Sequence, residues 1–287
     1  MNIHDLESQL NARHLGCYDS GHRGSEILRF QKAPGQLVVK FAPNNLPEAI
    51  ADLEANIHGY NQLKLIGAKS IVPAGLKELS VSDGKALLMS DLGDSMRKQD
   101  TGLDNFNLLW QHFEKIVRQT KTATTKLNSK TPSFVTEVIA LIKGFSHPKT
   151  SELIKILEKI DWSGNQGDSA LMICDFTPDN VFVAKGSLTF IDPWYQKSYL
   201  GHPAVSIGQF VTLARIYKMR SHEAAGIMLQ KYCLEKLSVI LGCDKSFTDN
   251  AFKLGVTLQL VLAAYVRQNS DFFAAERYLI DACRVWI

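Results

Sequence analysis

Between Leu171 and Trp194 the chain reads LMICDFTPDNVFVAKGSLTFIDPW, and this stretch gathers the residues best suited to chemistry. Asp175 and Asn180 stand five positions apart (180 − 175) in a polar loop between two apolar runs. Asp192 closes a third run, after the turn Ala184-Lys185-Gly186-Ser187. Strand, loop, strand, turn, strand is the reading this pattern supports. It brings two carboxylates and one carboxamide to the same edge of one hairpin. Carboxylate and amide oxygens suit Mg²⁺, a hard cation. A carboxylate beside the metal can orient an attacking hydroxyl and accept its proton. Phosphoryl transfer from ATP needs that set, because positioning and charge neutralisation dominate it. Turn chemistry would explain each polar residue separately, but not their joint spacing.

The elements that must hold this hairpin lie on both sides of it. Upstream, Glu26 to Phe30 and Gln36 to Phe41 are short β-like runs joined by Ala33-Pro34-Gly35. Two more, around Ile71 to Leu79 and Ala86 to Ser90, flank the turn Ser82-Asp83-Gly84. Between these pairs, Ile50, Leu53, Ile57, Tyr60 and Leu63 or Leu65 recur at helical period, with Pro47 near the start. From about Phe106 helical periods dominate, over roughly 105–129, 133–144, 150–160, 204–219, 222–241, 246–268 and 273–285. No internal repeat or low-complexity tract interrupts them. The pattern predicts an α+β chain: a small β-rich lobe over 1–92 and a larger, mainly helical lobe over 93–287. A cleft between lobes is where ligands commonly sit.

Composition excludes other classes. At 287 residues, 45% hydrophobic and 21% charged, the chain can bury a sizeable core without metal or disulfides. A net charge of +3 gives no electrostatic reason to expect nucleic acid as a partner. Lys115, Arg118, Lys121 and Lys126 cluster at helical spacing, as on a solvated helix face. The five cysteines are widely spaced with no C-x-x-C pair, which argues against a disulfide framework or zinc site and for a reducing cytoplasm. The first residues lack a secretion signal. Leu254 to Val266 is too short for a bilayer span and is broken by Thr257 and Gln259. A cytoplasmic chain with no membrane partner is expected.

Ile173-Cys174-Asp175-Phe176-Thr177-Pro178-Asp179-Asn180, followed by Val181-Phe182-Val183, resembles the His-Gly-Asp-x-x-x-x-Asn loop of the aminoglycoside phosphotransferase and choline kinase superfamily. Phe190-Ile191-Asp192-Pro193 resembles that superfamily's Ile-Asp-Phe motif. These proteins are relatives of the protein kinases. The resemblance implies a bilobal kinase-like fold, ATP and Mg²⁺ as cofactors, and a small-molecule hydroxyl acceptor. It implies Asp175 as catalytic base and Asn180 and Asp192 as Mg²⁺ ligands. Leu37-Val38-Val39-Lys40 resembles the strand ending in the nucleotide-binding lysine. Glu54, among Ile50, Leu53 and Ile57, is the expected partner of Lys40, since Glu48 in the first turn suits the helix dipole instead. Ser20, Gly21 and Gly24 lie where the family covers the phosphates, and glycine lets backbone N–H groups approach anions. Ala86 to Gly93 resembles the strand and hinge joining the lobes, so backbone near Ser90 to Leu92 is expected at the adenine edge, with Met89 lining the pocket.

Three departures stand out. Ile173 and Cys174 replace His-Gly, Pro193-Trp194 follows Asp192, and Ser206 occupies the position where an aspartate anchors the loop. The alternatives to a small-molecule kinase are therefore an atypical protein kinase and a pseudokinase that binds nucleotide or a partner. An Ala-Pro-Glu activation segment is missing, which argues against an ordinary protein kinase, though a protein substrate stays open. Asp271, Glu276 and Asp281 are the acids near the C-terminus, too few to single out a polycationic acceptor.

Overall fold

The structure, a computed structural model, describes residues 3–18, 24–99, 102–122, 131–145, 147–184, 187–194, 196–219 and 222–287. Five antiparallel strands open the fold: β1 (Arg13–Cys17), β2 (Glu26–Lys32), β3 (Gly35–Pro43), β4 (Lys77–Val81) and β5 (Gly84–Ser90). Their order across the sheet is β1-β2-β3-β5-β4. The pleat sends alternate side chains to opposite faces. Leu28, Phe30, Val39, Phe41 and Leu79 join Leu6 and Leu10 of α1 (Ile3–Leu10) in one small core. Ala42, Leu87 and Met89 face the other way, onto Leu53, Tyr60 and Leu63 of α2 (Pro47–Leu65) and into the main core. Lys40, between Val39 and Phe41, is thrown by the same alternation onto the α2 face.

The rest is mainly helical: α3 (Met96–Gln99), α4 (Gly102–Thr120), α5 (Ser133–Lys143), α6 (Pro148–Lys159), α7 (Ala204–Ile216), α8 (His222–Leu241), α9 (Lys245–Arg267) and α10 (Phe272–Arg284). Set into it are two small ladders, β6 (Ala170–Leu171) with β9 (Leu200–Gly201) and β7 (Val181–Ala184) with β8 (Ser187–Phe190). The architecture is thus a β-rich lobe followed by a larger helical one, as expected.

Several elements differ from the sequence reading. The first ninety residues hold α1, which the strand-and-turn reading omitted. It spans eight residues and is stabilised by burying Leu6 and Leu10 against the sheet rather than by its own length. The run from Ile71 does not enter a strand until Lys77. Lys69–Ile71 forms a 3₁₀ turn, and Pro73 cannot donate to a ladder. Helix α4 ends at Thr120, short of 129, where Thr120 Oγ1 donates to the Ile116 carbonyl and Thr122 turns to bridge Ser169. Among the described residues no helix is long and apolar enough to cross a membrane.

Candidate active site

The loop between β6 and β7 is anchored from beneath. Met172, Ile173 and Cys174 are fully buried, and the Phe176 ring lies 5.3 Å from Phe113, 5.8 Å from Phe210 and 5.9 Å from Phe190. With its neighbours held inward, Asp175 takes a left-handed backbone (φ 69°) and keeps part of its surface open. Asn180 Nδ2 donates to Asp175 Oδ2 at 2.9 Å, and Ile191 N–H donates to the Asn180 carbonyl at 2.9 Å. The hairpin therefore joins all three predicted residues. The protein packed around Asp175 pushes its carboxyl up to about 7, and the neighbouring Asp192 carboxylate pushes the same way against the Asn180 hydrogen bond.

Other groups brace the loop. Ile173 packs in the core, and its N–H donates to Ser206 Oγ at 2.8 Å. Ser206 is fully buried and braces the loop rather than capping a helix. Cys174 N–H donates to Gln196 Oε1 at 2.8 Å, and Gln196 Nε2 returns a bond to the Met172 carbonyl at 2.9 Å. Sequence reasoning missed Gln196, since nothing in its spacing marks it. Burial raises the Cys174 thiol far above its usual range, which leaves it unreactive.

Opposite the hairpin, the Lys40 ammonium finds one acceptor for each of its three protons: Asn56 Oδ1 at 2.8 Å, Asp52 Oδ2 at 3.0 Å and Asp192 Oδ1 at 3.0 Å. Burial opposes the charge of Lys40, but Asp192 and Asp52 outweigh it and hold the amine above the usual lysine range. Glu54 is not the partner; it pairs with exposed Lys85. It lies two positions beyond Asp52, which is about 200° around a helix of 3.6 residues per turn. Asp52 and Asn56 are four apart and share the face toward β3. Asn56, 2% exposed, occupies a core position in the series 49, 53, 56, 60, 63, and that polar interruption was the signal overlooked. The same face reaches the hairpin: Asn56 Nδ2 donates to the Pro193 carbonyl at 3.4 Å, and Asp192 N–H donates to Tyr60 Oη at 3.1 Å. Asp192, like Asp175, is left-handed (φ 51°).

The remaining predicted residues are less uniform. Gly24 has φ +83°, and a Cβ there would meet Leu46 Cδ1 at 2.8 Å. Ser20 and Gly21 lie outside the described residues. The Ser90 N–H donates to the Ala74 carbonyl and the Asp91 N–H to the Gln36 carbonyl, so neither donor is left for a base edge. The Leu92 N–H bonds no described residue and is the donor this segment keeps. Met89 is buried in the core.

No group of three or more His, Cys, Asp or Glu side chains shaped to hold a metal occurs among the described residues. The donor set still fits Mg²⁺, which is held by one or two protein oxygens together with water and phosphate. Asn180 turns its nitrogen to Asp175 and keeps Oδ1 for a cation, and Asp192 has one oxygen on Lys40 while the other bonds no described residue.

No protein-family model matches the chain, and no curated protein matches it in sequence. Solved structures do resemble it. A thermostable mutant of aminoglycoside phosphotransferase APH(4)-Ia superposes with TM-score 0.57 at 12% identity, covering 98% of this chain and 97% of that one. Choline kinase LicA from Streptococcus pneumoniae gives 0.55 at 13% identity, covering 99% and 97%. Plasmodium vivax ethanolamine kinase gives 0.54 at 13% identity, covering 96% and 84%. At such identities the likeness shows the fold: the bilobal, protein-kinase-like one.

Proposed function

We propose that the chain is an ATP-dependent phosphotransferase that moves the γ-phosphate to a hydroxyl of a small molecule. One observation carries this reading. A buried ammonium from the sheet meets Asp192 at 3.0 Å, on the hairpin whose loop binds Asp175 to Asn180 at 2.9 Å. Structural packing alone would not place an ammonium, three carboxylates and two amides around one edge, since burying charge is costly.

Lys40 would exchange its Asp192 contact for the phosphates when nucleotide binds, with Asp52 and Asn56 fixing its amine. Asn180 and Asp192 would hold Mg²⁺, which would neutralise charge on the phosphates. Asp175 accepts the hydrogen bond of the acceptor hydroxyl and takes its proton, and the nearby Asn180 amide fixes its orientation. Gly24, with Ser20 and Gly21, covers the phosphates, and Leu92 meets the base edge. The nucleotide lobe spans 1–92 and the catalytic and acceptor lobe 93–287.

The fold neighbours named above are named for small-molecule acceptors, which supports such an acceptor here. A structure of LicA in complex with AMP also resembles the chain, with TM-score 0.51 at 14% identity. Catalysis is favoured over a binding module because the braces are replaced, by Ser206 and Gln196, rather than lost.

Transfer from radiolabelled ATP to a panel of hydroxyl compounds tests the reading. Asp175→Asn is expected to lose about 10²- to 10⁴-fold in rate, the usual worth of a positioned general base. Nucleotide binding is expected to persist. Equal transfer by wild type and Asp175→Asn would remove the base.

A further inference from the structure

Beside the catalytic loop stands a cation that the chemistry above does not use. Arg97, on α3, donates its N–H to the Pro178 carbonyl at 3.0 Å. Its Nη1 meets Asp179 Oδ1 at 3.2 Å and Oδ2 at 3.4 Å. Asp179 directly precedes Asn180 and is close enough to Asp175 to act on its charge. The guanidinium carbon lies over the Tyr217 ring, 3.7 Å from its centroid. Arg97 is thus held on three sides, by a backbone bond, a carboxylate and a ring. Its side chain is still 48% exposed, and its Nε and Nη2 bond no described residue. A guanidinium presents its donors as a planar fork that matches carboxylate or phosphate, and stacking fixes the fork in advance.

Carboxylates that could take a cationic acceptor are engaged here. Asp179 serves Arg97, Asp192 serves Lys40, and Asp175 is the base. A polyamine or quaternary amine would have to break one of these contacts. An anion would use donors that are already free.

Resting on the phosphotransferase reading, we infer that the acceptor carries an anionic group, a carboxylate or a phosphate, received by Arg97 while its hydroxyl lies against Asp175. The acceptor class is then hydroxy acids or phosphorylated alcohols rather than amino alcohols or aminoglycosides.

The test is turnover of charge-matched sets with Mg·ATP, read as ADP release: gluconate, glucitol and glucosamine, and glycerol 3-phosphate, glycerol and ethanolamine. At least one anion should exceed its neutral and cationic counterparts about tenfold or more in kcat/KM, the scale of a charged hydrogen bond. Arg97→Gln should abolish that preference through KM for the anion, and Arg97→Lys should restore part of it. KM for ATP should shift less than about twofold, as expected of a group that does not touch nucleotide. The carboxylate and phosphate arms separate the two sources of the anion. Better turnover of a neutral or cationic member, or a preference that survives Arg97→Gln, overturns the inference alone. Failure to turn over any anion while Mg·ATP is bound also overturns it. A wild type that does not bind Mg·ATP overturns the phosphotransferase reading with it.

Discussion

At the scale of residues, the choice between Asp52 and Glu54 decides how Lys40 stays charged. A buried ammonium needs acceptors for its protons and opposite charge nearby. Asp52→Ala removes one of each, so it is expected to lower stability by about 1–3 kcal/mol. It should also raise KM for ATP by loosening the amine. Glu54→Ala breaks only an exposed pair and is expected to change stability by at most about 0.5 kcal/mol, with KM for ATP unchanged. Chemical denaturation of both variants and ATP titration of their initial rates check the contrast. Asp175, Asn180 and Asp192 were legible because one local hairpin carries all three. The partner of Lys40 was not, because it depends on the rotational phase of α2 against β3. Apolar spacing alone set that phase about an eighth of a turn toward Glu54, at 100° per residue, and Asn56 was the residue that would have corrected it.

At the scale of elements, α2 couples the sheet to the hairpin. It approaches closely because Gly59 has no side chain: a Cβ there would stand 2.5 Å from the Tyr199 hydroxyl and 2.7 Å from Pro193 Cβ. Gly59→Ala is expected to destabilise by about 1–3 kcal/mol, the range for overpacking a filled site. By pushing α2 off residues 193–199 it should also strain the Asn56 and Tyr60 bonds to Pro193 and Asp192, raising KM for ATP while kcat/KM for the acceptor falls in step. A shifted thermal midpoint with unchanged KM would separate packing from positioning, and would remove α2 from the site. Long periodic helices were legible in the sequence, α2 from Pro47 to Leu65. The two-residue strand β9 and the short α1 and α3 were not, because tertiary pairing rather than local propensity makes them.

At the scale of the whole molecule, the two cores divide the labour. The small one stiffens the outer face of the sheet, and the large one runs unbroken from the inner face through α2 into the helical lobe. Lys40 and Asp192 therefore come from distant parts of the chain, 152 residues apart, yet meet across one packed junction. The fold class followed from the order of strand-like and helical periods. The proposed acceptor side did not, because Arg97, Asp179 and Tyr217 come from separate elements and no spacing links them. The central claim is that this junction binds a metal–nucleotide complex, and calorimetric titration with ATP, with and without Mg²⁺, measures it directly. Wild type is expected to bind ATP tightly only with Mg²⁺, and Asp192→Asn to lose that metal dependence. No binding by wild type, or the same affinity for ATP with Mg²⁺, with EDTA and in Asp192→Asn, would contradict the account.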